Sequence, residues 1–215
     1  MIILSHRGFW ENSAQKNTKE SFERSFKYGF GIETDIRDYQ GNLVISHDMA
    51  DKDSMLFEDF CSLYAHYRLI IKCDLPLALN IKSDGLQKSL KALLDKYAIT
   101  NYFVFDMSIP DTLLYHQEDI KIFSRQSEYE LSPALYSECI GVWLDEFRGH
   151  WIDQQVIKQH LGNDKRVCIV SPELHKRDFI QEWQEYREME SHLKCKDTIM
   201  LCTDYPQKAK EFFNV

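Results

Sequence analysis

Long apolar runs are missing from this sequence: none approaches the ~20 residues that cross a bilayer, so no membrane span is expected. A Lys/Arg-rich block is also missing, and the formal net charge is −8, which argues against nucleic acid as the main partner. Residues 1–6 (MIILSH) lack a basic region and a long apolar segment, so they do not read as a signal peptide and the chain reads as cytoplasmic. The six cysteines contain no C-x-x-C pair. At this length a core needs no covalent staple, so they read as reduced core thiols, with a Cys61–Cys73 disulfide as the alternative. No G-x-G-x-x-G follows the first apolar strand, which removes the main support for a dinucleotide fold. Repeats, low-complexity tracts and Gly/Ser/Pro-rich linkers are absent as well, so residues 1–215 read as a single domain.

What the chain does contain is an alternation of short apolar strands and amphipathic helices. Strands are expected at 2–4, 31–37, 43–46, 77–81, 102–105, 121–123, 141–144, 166–170 and 198–202. Helices are expected at 18–28, 56–67, 86–97, 110–116, 132–136, 153–161, 178–193 and 206–213. About eight β-α units favour an α/β fold of the (β/α)8 TIM-barrel type over an open doubly wound sheet.

In such a fold, chemistry collects at the carboxyl ends of the strands. The polar residues fall there: His6 and Arg7, Glu33 and Asp35, His47 and Asp48, Asn80 and Lys82, Asp145 and Glu146, Glu173, and Asp204. In Gly31-Ile32-Glu33-Thr34-Asp35-Ile36-Arg37 the strand period of two puts Glu33 and Asp35 on one face. Two carboxylates that close repel, and a shared divalent cation is an economical way to hold them. His6 and His47 flank the pair and titrate near neutrality, as a general acid and base must. Arg7 and Lys82 can offset phosphate charge. A divalent cation can polarise a phosphoryl oxygen, and together these parts suit phosphodiester cleavage.

The order of the motifs carries more than any one of them. Ser5-His6-Arg7-Gly8, Asn17-Thr18 with Ser21-Phe22, Gly31-Ile32-Glu33-Thr34-Asp35, Gly41-Asn42-Leu43-Val44-Ile45-Ser46-His47-Asp48 and the closing Thr203-Asp204-Tyr205-Pro206 resemble the glycerophosphodiester phosphodiesterase family. The resemblance is strong over roughly the first third of the chain, fades through the middle and returns at the end. It implies a barrel similar to that of phosphatidylinositol-specific phospholipase C. It implies His6 and His47 as the acid/base pair, Glu33 and Asp35 as metal ligands, and Arg7 on the phosphate. The implied reaction splits a glycerophosphodiester, a small-molecule substrate, into an alcohol and glycerol 3-phosphate with Mg2+ or Ca2+.

Two departures stand out. The family's E-I-K on strand three is here Asn80-Ile81-Lys82, so Asn80 replaces a third metal carboxylate while Lys82 is kept. An amide oxygen can ligate a hard cation but brings no charge, so Asp145, Glu146 and Glu173 are candidates to compensate. The stretch between His47 and Asn80 is short, so the compact fold is expected to lack the family's usual small insertion subdomain. The alternatives are a non-hydrolytic phosphodiester-binding protein and a phospholipase C-like lyase that stops at a cyclic phosphate. Trp143 reads as core, while Glu173 and His175 follow a strand end where pocket-lining residues stand. His66, His116, His150, His160 and His192 read as solvent or packing residues. Helix 181–194 reads as an exposed face with i,i+4 pairs such as Glu182–Tyr186 and Glu190–Lys194.

Overall fold

A computed structural model describes residues 1–193, 195 and 198–215, so the expected Glu190–Lys194 pair lies outside the described residues. The chain forms two compact units, Ser5–Ile122, and Met1–Leu4 with Phe123–Val215.

The unit Ser5–Ile122 begins with the last two residues of β1 (Ile2–His6) and a short 3-10 turn at Ser13–Gln15. It continues with α1 (Lys19–Tyr28), β2 (Gly31–Tyr39), β3 (Asn42–Ile45), β4 (Met55–Leu56), α2 (Phe57–Ile71), β5 (Leu77–Ile81), α3 (Gln87–Lys96), β6 (Tyr102–Phe105) and α4 (Ile109–Gln117). Strand β2 pairs parallel with β5, which pairs parallel with β6, and β2 also forms an antiparallel hairpin with β3. Positive φ at both Gln40 (49°) and Gly41 (82°) makes the tight reversal between them, the turn geometry whose twist suits a two-residue hairpin. Only β4 and α2 stand between β3 and β5, in keeping with the short connection expected there.

Local chemistry explains where α1 starts and stops. Thr18 caps it by accepting the Ser21 N–H at 3.4 Å, and Gly29, at φ 79°, ends it in the left-handed region. Its buried stripe of Phe22 and Phe26 meets Phe60 and Tyr64 of α2, with Phe22 and Phe60 ring centroids 4.8 Å apart. Each fully buried aromatic of this kind contributes about 1.5–3 kcal/mol. The core is completed by Ile32, Ile36, Leu77, Leu79, Phe103 and Phe105 from the strands.

The second unit contains β7 (Phe123–Ser127), β8 (Gly141–Asp145), α5 (Gln154–Gly162), β9 (Arg166–Val170), a 3-10 turn at Pro172–His175, α6 (Ile180–Leu193), β10 (Ile199–Thr203) and α7 (Pro206–Phe213). Strands β7, β8, β9 and β10 are parallel neighbours, and residues 2–4 of β1 lie beside β10. Gly141 is required where β8 passes β7, because a Cβ there would sit 2.3 Å from the Phe123 ring.

Three expectations need correction here. The strand expected at 121–123 is β7, displaced to Phe123–Ser127. The helix expected over 132–136 is a series of turns, because Leu135 adopts φ 51° and a right-handed helix cannot pass through it. Glu182 and Tyr186 are buried, as are Trp183, Met189 and Glu190: positions i, i+1, i+4, i+7 and i+8 form the inward stripe of α6, not an exposed face. Trp143 is core, and all six cysteines are free, Cys73 alone being exposed.

Candidate active site

The first turn after β1 is bent by two successive positive φ values, Arg7 at 56° and Gly8 at 88°. Gly8 is essential there, since a Cβ would lie 2.3 Å from Ser21 Oγ. The turn is stitched to its neighbours by the Arg7 N–H, which donates to Glu33 O at 2.8 Å and to Glu33 Oε2 at 3.3 Å. Arg7 O in turn accepts the Asn17 N–H at 2.9 Å.

Around this turn the expected residues meet. Arg7 Nε is 3.0 Å from Asp35 Oδ2, Lys82 Nζ is 3.3 Å from Asp35 Oδ1, and His6 Nε2 is 3.9 Å from Glu33 Oε2. Asn80 on β5 is the direct register partner of Asp35 on β2. Glu33, Asp35 and Asn80 are all buried, while His6, Arg7 and Lys82 are half-buried. Burial, then repulsion by Asp35, pushes the Glu33 carboxyl up to about 8, outweighing the pull of Arg7 and Lys82. Asp35 Oδ1, Asn80 Oδ1 and Arg7 Nε are buried yet lack hydrogen-bonding geometry to any partner. A buried oxygen without a hydrogen bond costs about 1–3 kcal/mol.

His47 joins the group differently. It is exposed, its Nδ1 lies 2.9 Å from Asp48 Oδ1, and it shares with Arg7 and Asn17 the wall of a cleft of about 1120 Å³. A carboxylate can only accept, so Asp48 favours the Nδ1–H tautomer and leaves Nε2 of neutral His47 with its lone pair. The cleft runs from Arg7 and His47 toward α2, where His66 and Tyr67 line it, and His66 is solvent-exposed, one of the two placements expected for it.

A second charged cluster, with no signature in the sequence, occupies the unit 123–215. Glu146, His150 and Glu182 each bring one oxygen or nitrogen within 4.8 Å of the others. Glu146 Oε1 accepts the Trp151 and Ile152 N–H groups, each at 2.7 Å, and Oε2 accepts the Tyr186 hydroxyl at 3.0 Å. Arg177 pairs with Glu182, and His150 Nε2 reaches Glu185 at 2.9 Å. Burial, then a proton shared with Glu146, pushes Glu182 up to about 7. Burial lowers His150, but Glu146, Glu185 and Glu182 outweigh it and hold the imidazole above its usual value. His150 is solvent-exposed, as expected, and is also part of an ion-pair network. Of the proposed compensating carboxylates, Asp145 holds His175 Nε2 at 2.6 Å, and Glu173 accepts from Ser171 and Thr203 and from the Asp204 N–H at 3.0 Å. With Glu146 held by its two amides and Tyr186, all three are engaged inside their own unit.

No protein-family model matches the sequence, and no curated protein matches it. Solved structures do. A glycerophosphodiester phosphodiesterase from Agrobacterium tumefaciens str. C58 superposes with a TM-score of 0.67 at 14% identity, covering 100% of both chains. A glycerophosphoryl diester phosphodiesterase from Parabacteroides distasonis ATCC 8503 gives 0.67 at 13% identity, over 99% of this chain and 86% of that one. A phosphodiesterase from Oleispira antarctica, solved with the product sn-glycerol-3-phosphate, gives 0.65 at 15% identity, over 100% and 97%. At such low identity the likeness speaks for the backbone, and the α/β class expected from the sequence is borne out: this chain has the fold of the glycerophosphodiester phosphodiesterases.

Proposed function

We propose that the protein is a metal-dependent phosphodiesterase that hydrolyses a glycerophosphodiester, or a related diester, to an alcohol and glycerol 3-phosphate. The observation that carries this reading is the buried Glu33–Asp35 pair, closed in by His6, Arg7 and Lys82, with Asp35 Oδ1 and Asn80 Oδ1 left without hydrogen bonds. Two carboxylates and an amide oxygen are the hard donors that Mg2+ or Ca2+ takes, so the residues present fit such an ion. When bound, the ion supplies Lewis-acid polarisation of a phosphoryl oxygen.

The remaining roles belong to the protein's own side chains. His47, with Nδ1 directed to Asp48, offers Nε2 to accept a proton from the nucleophile, either water or a substrate hydroxyl beside the phosphate whose cyclic phosphate product water then opens to glycerol 3-phosphate. His6, beside the Glu33 carboxylate, is the partner that protonates the departing alkoxide. Arg7 and Lys82 hold a balance of positive charge that a phosphate can share once Asp35 is engaged by a cation.

Release of glycerol 3-phosphate from a panel of glycerophosphodiesters, with Mg2+, with Ca2+ and with EDTA, against His47→Ala, tests this. Cation-dependent release that drops by about 10²–10⁴-fold in His47→Ala is the expected result. Turnover indifferent to EDTA removes the metal role of Glu33 and Asp35. A cyclic phosphate as end product makes the enzyme a lyase, and diester binding without turnover makes the protein a binder.

A further inference from the structure

Asn17 donates no group to the proton or phosphate chemistry above, yet its side chain is tied at both ends. It sits at φ 60°, a left-handed backbone that Asn tolerates better than other non-glycine residues. Its N–H is anchored on Arg7 O at 2.9 Å. Its Nδ2 donates to Asp35 Oδ2 at 2.8 Å, and its Oδ1 accepts the Thr34 hydroxyl at 2.9 Å. Because a carboxylate has no proton to give, only this orientation of the amide serves Asp35.

The effect on Asp35 is asymmetric. Oδ2 is taken by Asn17 Nδ2 and faces Arg7 Nε at 3.0 Å. Oδ1 faces Lys82 Nζ at 3.3 Å without hydrogen-bonding geometry, and the Asn80 amide oxygen, on the residue paired with Asp35 across β2 and β5, is equally unbonded. We propose that Asn17 is a positioning residue: by pinning Oδ2 of Asp35 it keeps Oδ1, together with the amide oxygen of Asn80, free for a divalent cation. Outer partners of this kind orient the groups that touch a metal and tune its affinity. The inference rests on the reading of Glu33, Asp35 and Asn80 as cation ligands.

Two substitutions in the full chain test it. Asn17→Gly keeps the left-handed backbone and deletes the amide. Thr34→Val keeps the shape of a fully buried side chain and removes the hydroxyl that holds Asn17 Oδ1. Each protein is titrated with MgCl2 and, separately, CaCl2 by calorimetry, and diester turnover is followed against cation concentration. Asn17→Gly is expected to weaken cation binding by about 10–100-fold, to raise the cation concentration for half-maximal turnover in step, and to leave KM for the diester unchanged at saturating cation. Thr34→Val is expected to shift the same way by less. Cation binding indistinguishable from wild type in both variants overturns the proposal, as does a changed KM with binding intact. If Asn17→Gly does not fold, Thr34→Val decides alone. A wild-type protein that binds neither cation instead removes the ligand reading itself, an outcome separate from wild-type binding that the variants leave untouched.

Discussion

Each of the two units buries a knot of charged side chains, and the two are finished in different ways. In 123–215, Glu146 meets amides at one oxygen and the Tyr186 hydroxyl at the other, while Arg177 and His150 supply positive charge. In 5–122, Glu33 and Asp35 have cations nearby, but Asp35 Oδ1, Asn80 Oδ1 and Arg7 Nε lack hydrogen bonds. Burying polar atoms unmet costs stability and persists where a function offsets it. A cluster whose atoms are all met needs no such explanation. The contrast is between buried oxygens that are all met and buried oxygens that are not, although both clusters combine buried carboxylates, a histidine and an arginine.

The sharpest way to break this contrast is to exchange the loads. Asp35→Asn should lower glycerol 3-phosphate release by about 10³-fold, equivalent to ~4 kcal/mol of barrier; a rate within a factor of ten of wild type would place the chemistry elsewhere. Glu146→Ala should do the reverse. Stranding Arg177 and His150 should cost about 3 kcal/mol, a melting-temperature loss of about 6–12 °C, with turnover at low temperature and cation affinity unchanged. A fall in cation affinity in that variant would revive Glu146 as a compensating ligand. Asn80→Asp, which restores charge to the donor set, should tighten Mg2+ binding by about tenfold, or ~1.4 kcal/mol, read by calorimetry.

The gentlest expected change is with pH. A carboxyl with a raised folded-state pKa holds its proton more tightly in the native chain, so its stabilisation is lost as pH rises. For Glu182 that window runs from about 4.5 to about 7, and for Glu33 from about 4.5 to about 8. His150 acts with the same sign: its contribution is complete below 6.5 and is lost as pH climbs through its raised value. Saturating Mg2+ should displace the Glu33 proton and remove that share of the slope, leaving the share of Glu182 and His150. Denaturant midpoints against pH, with and without MgCl2, read this directly; a slope indifferent to Mg2+ would detach Glu33 from the cation.

Much of the fold was legible because parallel strands such as β5, β6 and β9 are continuous apolar runs and the helices between them carry periodic stripes. The exceptions are instructive. The chain at 132–136 has helical spacing, but Leu135 takes a left-handed backbone, which no apolar pattern reports. Glu182 and Glu190 lie on the apolar stripe of α6 and are buried because their charges are met, by Arg177 for one and by the N-terminal amine of Met1 for the other. The carboxylate pair was legible since a period of two fixes which side chains share a face. The contacts of Asn17 were not, since they reach 17 and 18 residues along the chain and depend on one unusual φ. The Glu146 cluster was hidden for a similar reason: Tyr186 lies 40 residues from Glu146, with no periodicity linking them.

The reversal at Gln40-Gly41 has a consequence beyond joining two strands. It sets Ile36 against Ile45 and leaves Ser46 N–H on Asp35 O at 3.2 Å, so the next residue, His47, takes its place from that register. Side chains alternate faces at every step of a strand, so one residue inserted in this turn shifts β3 by a step and turns its later side chains to the opposite face. Loop length here is therefore a structural variable: one residue added at a solvent-exposed tip would move His47 and at the same time exchange the faces of the buried Leu43, Val44 and Ile45, so the cleft wall and the core are set by the same turn.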